Sequence, residues 1–92
     1  PPEFIKGHSR VAAALASLGR LEDAKAKYDF VLKLDKNNSV AKKGVEDCKV
    51  SMEIRAKRVE EEMKRVAKER EAIAAAKKEE LRLQQQRQQL RG

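Results

Sequence analysis

Apolar residues in the first third of the chain fall into two helical runs separated by a short break. Val11, Ala12, Leu15 and Leu18 recur at the spacing of one helix face, which predicts a first helix from about Phe4 to Leu18. Ala12, Ala13, Ala14 and Ala16 are small enough to let a neighbouring helix come close. Gly19 follows, a residue that takes positive φ beyond a helix end without a Cβ penalty. The pattern restarts at Leu21, with Glu22 and Asp23 in the first turn, where negative charge suits the helix dipole. A second helix is expected over Leu21–Leu34, turning Leu21, Ala24, Tyr28, Val31 and either Leu32 or Leu34 inward. Asp35-Lys36-Asn37-Asn38 ends it. The reading is a helix hairpin.

Beyond the hairpin the pattern changes. Asn38 or Ser39 can cap a third helix, and no proline follows to stop it before about Leu90. Ala41, Val45 and Cys48 are spaced to cover the second helix, so the first turns belong to a packed head. Val45, Met52, Val59, Val66 and Ile73 then recur every seven residues, a candidate self-association seam. The column three residues on, Cys48, Arg55, Glu62, Glu69, Ala76, Leu83 and Leu90, is charged in its middle, so the heptad is half formed. Glu53–Lys57, Glu60–Lys64 and Glu61–Arg65 are acid-before-base pairs that support an isolated helix. The glutamine-rich end, Leu83 to Leu90, is expected to fray. No strand pattern occurs, and the fold class expected is all-α.

Charge follows the same division. Residues 1–48 carry nine basic and seven acidic side chains with most bulky apolar ones, whereas 49–92 carry thirteen and eight, interleaved. That is a small head and a solvated tail. The expected organisation is a leader over 1–4 that is vector-derived or disordered, a hairpin over 5–38, a capping helix over 39–50 and a charged helix over 51–92. Pro1-Pro2-Glu3-Phe4 reads as a cloning remnant, and the chain as a fragment.

The chemistry on offer is limited. A single cysteine, Cys48, makes neither an internal disulfide nor a cysteine metal cluster and suits a reduced, cytoplasmic setting. Cys48 reads as a small buried hydrophobe and His8 as a packing residue, with no third group to complete a catalytic set. No enzyme activity, metal or cofactor is expected. The net charge of +7 supports only salt-sensitive binding to nucleic acid, because acids are interleaved and no aromatic follows Phe30. No apolar run is long enough to span a membrane, and the tail stripe is too thin for a membrane-surface helix.

Gly19, Leu21, Ala24, Tyr28, Val31, Leu34 and Asp35-Lys36-Asn37-Asn38 resemble the signature of a tetratricopeptide repeat. The repeat would run from Ile5 to Asn38, with Ser39 onward resembling a capping helix. It departs from the pattern at His8, Lys25 and Lys36, where an aromatic, an apolar residue and proline are usual. The stretch from Lys6 to Leu15 is similar to the third repeat of the chaperone-binding domains in Hsp-organising-protein-like co-chaperones. That resemblance implies that Lys6 and Arg10 belong to a clamp for the C-terminal carboxylates of 70-kDa or 90-kDa heat-shock chaperones. It also implies that the rest of the clamp comes from earlier repeats. The alternative is a coiled-coil scaffold whose long helix makes the contacts. A lone repeat leaves Ile5, Val11 and Leu15 without a neighbour, so a homo-oligomer is expected.

Overall fold

The computed structural model describes residues 2–91, and its secondary structure is three helices: α1 Pro2–Ser17, α2 Leu21–Leu34 and α3 Ser39–Arg91. No strand occurs among the described residues. By contacts the chain divides into a head ending at Ala56 and a tail beginning at Lys57.

The head is built around the α1–α2 hairpin. Gly19 has φ +80°, the left-handed conformation that closes α1. Its N–H donates to the Ala16 carbonyl at 3.0 Å, and the Arg20 N–H donates to Leu15 at 2.9 Å. Those two bonds satisfy carbonyls that the end of α1 would otherwise leave open. α2 ends where the Asp35 N–H donates to Val31. Asn38, rather than Ser39, caps α3: its Oδ1 accepts the Ala41 N–H at 2.9 Å, and its Nδ2 donates to Asp35.

Ala12, Ala24, Tyr28, Val31, Ala41 and Cys48 form the buried core, with Ile5, Leu15, Ala16, Leu32, Val45 and Met52 packed around it. Small residues predominate, so the helices approach closely. The limit is reached at Gly44, where an added Cβ would lie 2.5 Å from the Tyr28 ring. The α3 backbone therefore presses against that ring, and burial of the Tyr28 hydroxyl pushes its pKa up. Arg55 fastens the end of the head by donating to the Glu22 carboxylate at the start of α2, which lowers the Glu22 pKa.

Several expectations need correction. α1 opens at Pro2 rather than Phe4, since proline suits the first helical position and Glu3 the first turn. Of the expected leader, Pro2–Phe4 are thus helical, and Pro1 lies outside the described residues. Val11 and Leu18 are exposed, not inward. α1 meets the core through Ala12, Leu15 and Ala16, a face rotated away from Val11, and Leu18 stands at the turn with nothing over it. Leu32, not Leu34, faces the core. Lys25, which stands where the repeat pattern has an apolar residue, donates to Asp29 at 2.9 Å.

In the tail every described side chain is exposed except that of Val66, which is half-buried. Local ion pairs take the place of a core. Lys64 forms an ion pair with Glu60 at 3.2 Å, and Arg82 donates to Glu79 at 2.6 Å. Arg65 pairs with Glu62 and Glu69, not with Glu61 as the spacing predicted. α3 continues through the glutamine-rich stretch to Arg91, past the expected limit near Leu90.

Candidate peptide-carboxylate site

Lys6 and Arg10 are one helical turn apart on α1, which places both on one face. They line a single open depression of about 270 Å³ with Ile5, Ser9, Asn38 and Val40. Lys6, Ile5 and Asn38 also border a neighbouring depression with Pro2 and Asp35. The hairpin and the start of α3 thus put two cations beside a small apolar surface. Both are exposed, and within the described residues neither forms an ion pair. Chemically, a planar guanidinium and a point ammonium suit a carboxylate. Asn38 is not available to a ligand in this arrangement, since both ends of its amide hold the α2–α3 turn.

The other singled-out residues are dispersed. The His8 ring packs edge-on against Phe4, with centroids 4.4 Å apart, and against Phe30 at 5.0 Å. His8 is therefore a packing residue, and the ring row it joins is a feature that the sequence pattern did not bring out. Phe4 falls in the expected leader and Phe30 on neither expected face, although His8 is one turn after Phe4 on α1. Cys48 is buried beside Tyr28 and Gly44, and that burial, with Asp47 nearby, raises its thiol pKa and keeps it a neutral hydrophobe. Among the described residues no group of three His, Cys, Asp or Glu side chains could hold a metal. None of the helices is long and apolar enough to cross a membrane.

The seven-residue column is divided between the two units. Val45 and Met52 are half-buried and pack on the head core. Val59 and Ile73 are exposed, and Val66 is half-buried in the tail.

Comparison with known proteins gives one relevant similarity. A 45-residue segment, 49% of the chain, is 40% identical to part of Heat shock protein STI1 of Saccharomyces cerevisiae. The segment spans 8% of that protein's length. No family model matches the chain, and no solved structure matches it.

Proposed function

We propose that the head belongs to a protein-interaction module of the co-chaperone type and that Lys6 and Arg10 receive the C-terminal carboxylates of a chaperone tail peptide. The single observation that carries this reading is the similarity to Heat shock protein STI1. The repeat-like signature of the hairpin and the shared depression beneath Lys6 and Arg10 support it. Charge-assisted hydrogen bonds contribute about 1.5–3 kcal/mol each. Two such anchors barely offset the cost of ordering a flexible peptide, so the 92-residue chain binds weakly.

The test is a titration of the chain, followed by amide and side-chain NMR shifts, with a peptide ending in Glu-Glu-Val-Asp. Shifts centred on Lys6 and Arg10 are expected with the free carboxylate, and loss of them on amidation. Lys6→Ala plus Arg10→Ala should abolish the response. A response indifferent to amidation contradicts the reading. The scaffold reading, favoured by the exposed Val59 and Ile73, would then lead.

A further inference from the structure

The tail presents a surface that peptide binding does not use. Val59, Met63 and Ile73 are exposed, and with Val66 they follow one side of the helix. Met63, Val66, Ala67 and Arg70 also line one depression together with Glu62. Those four stand at i, i+3, i+4 and i+7, the arrangement that forms the hole for a side chain of a facing helix in a coiled coil. Ala67 is its small member, leaving room for an entering side chain.

We propose that this stretch pairs antiparallel with the same stretch of a second copy, each Met63 entering the hole of the other. The basic residues decide the orientation. Val59, Val66 and Ile73 form one seam column, and Met63, Arg70 and Lys77 the other. Parallel pairing would set Arg70 against Arg70 and Lys77 against Lys77. Antiparallel pairing with Met63 opposite Val66 sets Arg70 opposite Val59 of the second copy, beside its Glu60. Arg70 makes no ion pair within the described chain, so it is free for that carboxylate. Glu60 is paired with Lys64 of its own helix through one carboxylate oxygen and retains the second for Arg70. On the other flank Glu62 and Glu69 are already held by Arg65. The contact is about four layers long and belongs with small, weak interfaces.

Sedimentation of the 92-residue chain over a concentration series tests this, with helicity followed by circular dichroism. Wild type should dimerise reversibly. Glu60→Arg places two pairs of like charges in the contact and should raise the dissociation constant about tenfold or more. Adding Arg70→Glu to the same chain should restore dimerisation, because each introduced carboxylate then meets an introduced guanidinium of the other copy. Parallel pairing gives the opposite result for that double variant, since the two carboxylates introduced at position 70 would face each other. Met63→Glu should leave a helical monomer. A wild-type chain still monomeric at about 1 mM, well above the range of ordinary specific contacts, overturns the proposal. So does a Glu60→Arg chain that dimerises unchanged, or a double variant that stays monomeric at wild-type helicity.

Discussion

α3 is one helix held by two kinds of force. From Ala41 to Met52 it is fixed by burial: Ala41 and Cys48 are inside the core, and the Gly44 backbone lies on the Tyr28 ring. From Lys57 onward no described side chain is buried, and turn-to-turn ion pairs remain. Burying a Val or Leu side chain is worth about 1.5–3 kcal/mol, whereas a helix-surface pair gives about 0.2–0.5 kcal/mol. The same secondary structure thus has a cooperative part and a local part. Heptad spacing by itself does not distinguish them.

The largest effects should come from the head. Val31 is fully buried, and Val31→Ala should cost about 2–3 kcal/mol of unfolding free energy in denaturant titration. Val59→Ala, the same change in the tail, should leave head stability within about 0.5 kcal/mol. Equal costs would erase the distinction between the two regions. Gly44→Ala comes next. Helix propensity favours alanine by about 1 kcal/mol, but its methyl would overlap the Tyr28 ring, and overpacking costs about 1–3 kcal/mol. A net loss is expected, relieved when Tyr28→Leu is combined with it. A stabilised Gly44→Ala protein would mean that the ring does not rest on α3.

Smaller effects belong to the ends and the surface pairs. Gly19→Ala forces a Cβ into positive φ, and Asn38→Ala removes the α3 cap; each should cost about 1 kcal/mol in the same titration. In the tail, Arg82 hydrogen-bonds Glu79 and lowers its pKa. A carboxylate with a lowered folded pKa binds fewer protons folded than unfolded. Its stabilisation is complete above the ordinary carboxylate pKa and disappears as pH falls through the lowered value. Tail helicity should therefore decline on acidification through the carboxylate range, and on adding salt, before the head loses structure. Circular dichroism of a peptide covering 57–92 against the whole chain would check the sign.

Much of the head was legible because its punctuation is chemically specific. Gly19 takes a positive φ that few other residues adopt, and Asp35 and Asn38 mark the α2–α3 turn through their hydrogen bonds, the Asp35 N–H to Val31 and the Asn38 amide to Asp35 and Ala41. The orientation of α1 was legible only in part. A run of alanines is apolar on every side, so the expected face held Ala12 and Leu15, which do meet the core, together with Val11 and Leu18, which do not. The candidate site was half readable. One-turn spacing brought Lys6 and Arg10 together, but Asn38 and Val40 reach their depression only through the fold of the hairpin. The seven-residue column was legible only as spacing, which does not reveal that Val45 and Met52 have neighbours in the head while Val59 and Ile73 are exposed.

The division of α3 is tested most directly by residue-resolved amide hydrogen exchange at a concentration where the chain is monomeric. Amides from Lys42 to about Ser51 should exchange only through unfolding of the head, with protection that falls when Val31→Ala is introduced. Amides beyond Lys57 should exchange far faster, through local opening, and should not respond to that substitution. Uniform protection along the whole of Ser39–Arg91, lowered throughout by Val31→Ala, would contradict the account.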